Sequence, residues 1–467
     1  MIVNLAGYNL DINIINQIQD KVIATPETIS AAYARISRSK KSVLELRENA
    51  IKEVETARKS NNAIIFEMGH SSIAEHAVFN FDILGISRFV VEFIQRSRLA
   101  SYTEKSQRYV TLHGDYVTPE ELKNTPLEKR FNDLISLQNS LYTKIFNALK
   151  NHYIKERNPE NIKDLENKAK EDARYVLSLA TQTQMGLTIN ARNLTKMLRR
   201  LSTLQLKEAD KLKFYLESQV KKVAPSLVKY TDAEDFEKNY LNHLPHVNEM
   251  PSSEKFNLLK YPKDAENTIL SILLFEKYGY DVSSLEYWVR TLTKKEKADI
   301  FENIFKDMKF YHSLPRAFES VDFTFQMNIS ASCFAQLKRH RMATVIKSYS
   351  YPNLDYIIPE SYKLIDIKGE LDDMMQKTAE LYTDMEKHKK LLGNYILTNA
   401  HSVNVIFKAN LRELYHFSRL RADSHAQWEI MDVANRISEK IKQILPNAGK
   451  YLMGKDEFIS VKDKRTT

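Results

Sequence analysis

The chain is expected to fold as an α+β protein in which one domain, helices packed around a small sheet, occurs twice. Three observations predict this. Apolar residues recur at helical spacing over 41–60, 126–150, 160–180, 208–224, 371–391 and 429–444. Shorter alternating runs, His76–Ile83 and Val321–Met327, read as strands. The same features also follow one another in the same order on both sides of a polar stretch at 231–262, which carries Pro245, Pro251 and Pro262 and reads as a linker.

The repeat can be followed element by element. The first half has Ala74-Glu75-His76 before a strand, then Arg96-Ser97-Arg98, then Asn190-Ala191-Arg192. The second has Phe318-Glu319-Ser320 before a strand, then Arg339-His340-Arg341, then Asn410-Leu411-Arg412. Glu75 precedes Arg96 by 21 residues and Glu319 precedes Arg339 by 20. The period is too long for a solenoid, so duplication of one domain is expected. The boundaries follow as 1–230, a linker over 231–262, and 263–467.

Composition narrows the class. The 467 residues are 43% hydrophobic and 28% charged, as in ordinary globular proteins. No apolar run approaches the ~20 residues of a membrane span, so no membrane partner is expected. Met1-Ile2-Val3-Asn4-Leu5 shows no basic region followed by an apolar stretch, and a cytoplasmic location is expected. Cys333, the single cysteine, leaves no intramolecular disulfide or thiolate metal cluster, and its apolar surroundings predict a buried small residue. The net charge of +9 suits either a solvated basic surface or a polyanionic ligand.

Two constellations could carry chemistry. Glu104, Ser106 and Arg108 are spaced by two, so on an extended segment they would share one face. They would offer a carboxylate, a hydroxyl and a guanidinium, the last suited to phosphate. Asn410, Arg412, His416, Arg421 and His425 form the second. Asn410 and Arg421 are eleven residues apart, about three helical turns, and His425 is one turn further. On one helix they would make a polar face, costly if buried without a ligand. His70, Glu75 and His76 lack zinc-ligand spacing, and no metal site is expected. A Gly-rich phosphate loop is absent from the sequence, so side chains would hold any dinucleotide.

Together these residues resemble the flavin-dependent thymidylate synthases. That family's signature is Arg-His-Arg, seven residues, then Ser, within a run ending Ser-x-Arg-Tyr. The first half matches it as Arg96-Ser97-Arg98 through Ser106-Gln107-Arg108-Tyr109, with Ser97 in place of His. Gly69-His70 and Glu75-His76 match the family's upstream residues. The second half supplies Gln336, Arg339-His340-Arg341 and Arg421-Ala422-Asp423-Ser424-His425-Ala426-Gln427-Trp428-Glu429-Ile430.

The departures divide the family's site between the halves. Where Glu104, Ser106 and Arg108 stand in the first half, the second has Lys347, Tyr349 and Tyr351, and Asn394 replaces Arg174. Conversely Phe93 stands for Gln336 and Leu201 for Arg421. Arg200 is one residue off, about 100° around a helix, and is expected to face elsewhere. In the family each site is shared between subunits, which implies here a pseudo-dimer with one complete composite site and a dead reciprocal one.

The resemblance implies reductive methylation of dUMP to dTMP with FAD as cofactor and NADPH and methylenetetrahydrofolate as co-substrates. It places Arg421 as catalytic, and Gln336, Arg339, Glu104, Ser106, Arg108 and Arg174 on the nucleotide. Ser72, Glu75, His70, Arg339, His340, Arg341, Asn410, Arg412 and His416 would meet the cofactor. A homodimer would replace the family's tetramer, with no stable nucleic-acid partner. FAD-dependent one-carbon transfer to another pyrimidine nucleotide, or a non-catalytic nucleotide- or nucleic-acid-binding relic, stand as alternatives.

Overall fold

The computed structural model describes residues 1–11, 14, 25–36, 39–110, 114–156, 162–247, 254–351 and 353–463. The chain forms two compact units. One comprises 1–250 with 358–399, the other 251–357 with 400–467.

Each unit is built on a four-stranded antiparallel sheet. The first contains β1 (Ile2–Tyr8), β2 (Val78–Ser87), β3 (Ala100–Glu104) and β4 (Gln182–Asn190), in the order β1-β2-β4-β3. The second contains β5 (Phe256–Lys260), β6 (Asp322–Ser330), β7 (Thr344–Lys347) and β8 (Ser402–Asn410), in the order β5-β6-β8-β7. The registers correspond as well, with Val78 opposite Asn190 and Asp322 opposite Asn410. Period-2 patterning sets the faces. Phe79, Phe81, Ile83, Met185, Leu187 and Ile189 are buried in one sheet, and Phe323, Phe325, Met327, Val403, Val405 and Phe407 in the other.

A strand–cap–helix step recurs four times. Ser87 caps the helix Arg88–Ile94 by accepting from the Val90 amide at 3.1 Å, and Ser330 caps Ala331–Leu337 through Cys333 at 3.0 Å. Asn190 caps Ala191–Ser202 through Asn193, and Asn410 caps Leu411–Arg421 through Glu413, each at 2.9 Å. Short polar side chains do this because they satisfy an amide that the first helical turn leaves unpaired. Both serines are also gripped by a buried glutamate. Glu208 accepts from the Ser87 amide and hydroxyl at 2.7 and 2.8 Å, and Glu429 from the Ser330 amide at 2.8 Å and from its hydroxyl. Duplication is therefore written into the capping chemistry, and Cys333 is buried as expected.

The expected helices are present with shifted ends. The 41–60 segment divides at Glu53 into Val43–Lys52 and Val54–Asn62, and the 160–180 segment holds the α-helix Ile162–Ala173 followed by a short 3-10 turn at Arg174–Val176. Within 231–262, Asp235–Asn239 is helical and Phe256–Lys260 is strand β5, which hydrogen-bonds to β6.

The segment 358–399 belongs to the first unit although its sequence lies in the second half. Its helix Lys368–His388 packs beside the 31-residue helix Pro126–Glu156. The Leu179 and Ala180 amides donate to Leu397 and Tyr395 carbonyls at 2.8 and 2.9 Å, and the Asn399 amide donates to Leu177 at 2.8 Å. Tyr395 adds a third donor to Glu208, at 2.7 Å. Asp172 is 5% exposed and accepts from the Ser361 hydroxyl at 2.7 Å.

That aspartate gives a pH test. Burial pushes its carboxyl up to about 6, against the lowering influence of the Ser361 hydrogen bond. The folded state thus favours the protonated form. Stability from this group is fully present below the unfolded carboxyl range and is lost as pH rises through about 6. The ionised form costs up to about 3 kcal/mol above that pH. Asp172→Asn is expected to recover part of this at about pH 7.5, with the gain vanishing near about pH 4. Denaturant melts at both pH values check it; an equal gain at both would exclude titration as the cause.

Candidate functional site

In the first unit, β3 ends at Glu104, whose pairing with Met185 is the last of the ladder. The extended Glu104–Arg108 segment expected from the spacing does not form. The chain leaves the sheet into a turn, closed where the Arg108 amide donates to the Ser106 hydroxyl at 3.1 Å. Serine offers the backbone this alternative to ladder hydrogen bonds.

The turn gathers charge. Glu104 accepts from Arg88 Nη1 at 2.9 Å and from Gln95 Nε2 at 3.0 Å, so both of its oxygens are held. Arg108 is paired with Glu171. Arg174, in the turn Arg174–Val176, is 3% exposed and donates from Nε to the Glu171 carbonyl at 3.2 Å. Its Nη2 is buried without a hydrogen-bond partner among the described residues, as is Nε2 of Gln107. Burial, opposed by Tyr175 and Glu171 and reinforced by Arg88 and Arg108, holds the Arg174 pKa below its usual value. Three guanidiniums thus meet two carboxylates, and the most buried one has an unsatisfied N–H. Such a group is costly in a resting protein and is satisfied by an anionic or carbonyl-bearing ligand.

Glu75 lies in the turn Ser71–His76 and pairs with Arg192, while His70 and Ser72 are exposed. The second unit repeats this pair as Glu319 with Arg412 Nη1, at 2.8 Å, and Arg412 Nε adds a bond to the Leu314 carbonyl at 2.7 Å.

The second unit holds the other constellation. Gln336 is 5% exposed near the end of Ala331–Leu337, and Arg339 and Arg341 are exposed on the following turn. His340 between them is buried. Its Nδ1 lies 3.1 Å from Glu413 Oε1, and its Nε2 accepts from Arg421 Nε at 3.0 Å. Asn410, Arg412 and His416 line a cavity of ≈ 540 Å³ with Phe310, Tyr311 and Arg419. That volume is within the range of small-molecule pockets.

The single polar face expected from Asn410 to His425 is not formed. The helix stops at Arg421, and His425 sits in the following loop with Nδ1 2.9 Å from Asp423. Asp423 also accepts the His425 amide at 3.1 Å, a local bond that competes with helix continuation. Gly454 packs so closely here that an added Cβ would lie 2.4 Å from the Ala422 carbonyl oxygen. Asp423, His425 and Asp456 are close enough to share a metal ion, but His425 and Asp456 are exposed. Arg200 also differs from expectation. Its Nη1 donates to the Ser97 hydroxyl at 3.2 Å, because a serine at the centre of Arg96-Ser97-Arg98 leaves room for a long side chain to reach in.

Comparison with known proteins shows the family of the chain. The family model of the thymidylate synthase complementing proteins, Thy1, matches residues 20–226 and 257–447. The chain belongs to this family. It carries the family domain as two diverged halves, the arrangement the repeated order predicted. A flavin-dependent thymidylate synthase of Clostridium tetani is 36% identical over 209 residues, spanning 44% of this chain and 82% of that protein. The UPF0159 protein Ta1429 of Thermoplasma acidophilum is 23% identical over 447 residues, 86% of this chain and 88% of that one. Among solved structures, a UMP/dUMP methylase PolB from Streptomyces cacaoi bound with 5-Br dUMP covers 42% of this chain and 93% of its own, at 15% identity and a TM-score of 0.35. Arg88, Gln95, Glu171 and Glu413 were not singled out in the sequence. For Glu413, its place three residues after Asn410 was the available signal.

Proposed function

We propose that the chain converts dUMP to dTMP by reductive methylation, with FAD as cofactor and NADPH and methylenetetrahydrofolate as co-substrates. The observation that carries this reading is the Nη2 of Arg174, buried beside Arg88, Arg108 and Glu171 with no hydrogen-bond partner among the described residues. Ser106, Arg108 and Arg174 would bind the nucleotide, with Glu104 held in place by Arg88 and Gln95. Gln336 and Arg339 would complete those contacts. Arg421 would stabilise negative charge developing on the pyrimidine ring, which a permanent cation does well. The ≈ 540 Å³ cavity, with Asn410, Arg412 and His416 on its wall and Phe310 and Tyr311 beside them, fits part of an FAD molecule. Arg341, His340, Glu75, Ser72 and His70 are the remaining candidate contacts. When bound, the flavin supplies hydride, which removes the need for a cysteine nucleophile. Cys333 is consistent with this, being buried within a helix after β6.

The two halves keep complementary sets, and we read them as serving one composite site in a homodimeric protein. The first half retains the nucleotide turn and Arg174. The second retains Gln336, the Arg339-His340-Arg341 turn and Arg421. Where the second half lost the nucleotide turn, Lys347 Nζ stands 4.9 and 5.0 Å from the Phe334 and Tyr349 ring centroids. A cation settled between rings occupies the place of a carboxylate, which supports a dead reciprocal site.

The test is reconstitution. Protein mixed with FAD should retain yellow colour through gel filtration, bleach with NADPH, and form dTMP from dUMP only with methylenetetrahydrofolate. Retention of flavin with methylation of dCMP instead would redirect the substrate assignment. Failure to retain flavin would overturn the cofactor and with it the reaction.

A further inference from the structure

We propose that Glu413 is a positioning residue that fixes Arg421 through the ring of His340. The inference rests on the assignment of Arg421 to the reacting pyrimidine. Arg421 Nε can only donate, so His340 Nε2, 3.0 Å away, is the acceptor and carries no proton. The neutral ring then bears its proton on Nδ1, 3.1 Å from Glu413 Oε1, which accepts it. His340 is 4% exposed and Glu413 8%, so these hydrogen bonds form away from water. The edge of the ring is therefore fixed at both nitrogens, and Phe417 packs against it with centroids 4.8 Å apart.

Two further observations point the same way. Glu413 occupies the third position of its helix, where a glutamate commonly folds back onto the backbone amide of the capping residue. Here Asn410 caps the Glu413 amide, but the carboxylate turns to His340 instead. The first half provides an internal comparison. It keeps the Glu75–Arg192 pair that matches Glu319–Arg412. Yet it has Asn193, Ser97 and Leu201 where the second half has Glu413, His340 and Arg421. The Asn193 amide group turns back to Asn190 Oδ1 at 2.9 Å. All three members of the relay are replaced together in the half that lacks the catalytic arginine.

The groups facing His340 are Glu413, Arg421 and His416. Protonation at Nε2 would set two donors against each other at the Arg421 contact. Burial, aided by Arg421 and His416 and opposed by Glu413, pushes the His340 pKa down. The ring accordingly stays neutral, and the relay weakens only as the medium becomes acid enough to protonate it.

Full-length protein labelled with 15N-histidine tests this by NMR, with His340 assigned from a His340→Gln difference spectrum. Wild type should show a protonated Nδ1 and a bare Nε2. Glu413→Leu should lose that tautomer preference and lower kcat by about 100-fold, the scale of a small misplacement of a catalytic group. KM for dUMP should change little, because the nucleotide turn is untouched. Glu413→Gln, whose amide oxygen can accept the same proton, should recover most of kcat. A protonated Nε2 in wild type, or wild-type turnover in folded Glu413→Leu, would overturn the proposal. Should Glu413→Leu not fold, the wild-type spectrum and Glu413→Gln decide, the latter counting against the proposal if it is as slow as an Arg421 variant. Should wild type convert no dUMP, the synthase reading falls, while the tautomer spectrum still judges the relay.

Discussion

Arg421→Ala is expected to lower dTMP formation by about 100- to 1000-fold, the usual loss when a preorganised donor to developing charge is removed. Arg421 is the last residue of its helix and only half-buried, so alanine leaves the helix and its Asn410 cap intact. The loss should therefore appear chiefly in kcat, with only a modest fall in melting temperature from the hydrogen bond that His340 Nε2 loses. Arg200→Ala is the matched control. Arg200 lies in the last turn of its helix and also touches the central residue of an Arg-x-Arg turn, but that residue is Ser97. Its removal should leave turnover close to wild type. Initial rates measured side by side decide the matter, and equal losses would sink the idea that the halves have divided the chemistry.

The second large effect is expected at Arg174. Arg174→Met should weaken dUMP binding by about 10- to 100-fold, the range for one charge-assisted hydrogen bond. Folded stability should not fall with it. The guanidinium is buried with Nη2 unpartnered among the described residues, and a methionine of similar reach removes that cost at the expense of one bond to the Glu171 carbonyl. A residue kept against the interest of stability is a residue kept for a ligand. Calorimetric titration with dUMP and a denaturant melt of the same samples check both halves of the prediction. Unchanged affinity would show that the nucleotide turn binds something else.

Much of this was legible in the chain because duplication repeats its own signals. Asn190 and Asn410 sit at matching strand ends and cap matching helices, so the same short string marks the same joint twice. The Glu75–Arg192 and Glu319–Arg412 ion pairs join residues that the repeated order had matched, although the pairing itself was not read from the chain. Interactions between residues far apart without a local signature were not legible. Nothing near Arg108 announces Glu171, and nothing near His340 announces Glu413. The end of the helix at Arg421 was missed because apolar periodicity runs on through Trp428, whereas Asp423 captures the His425 amide and breaks the run. Glu104, Ser106 and Arg108 were read as strand because alternation cannot show where a ladder stops, and here the last bond to the partner strand is from the Lys105 amide to the Gln184 carbonyl, before Ser106 is reached.

Residues 358–399 carry a consequence for the history of the molecule. A gene cut between the repeats would yield an amino-terminal product whose Leu179 and Ala180 amides face no acceptor and whose Glu208 has lost its phenol. The fusion therefore acts as a ratchet: once Leu397, Tyr395 and Ser361 of one copy had become structural parts of the other, reversion to two separately inherited subunits would require both fragments to find each other before the first could finish folding.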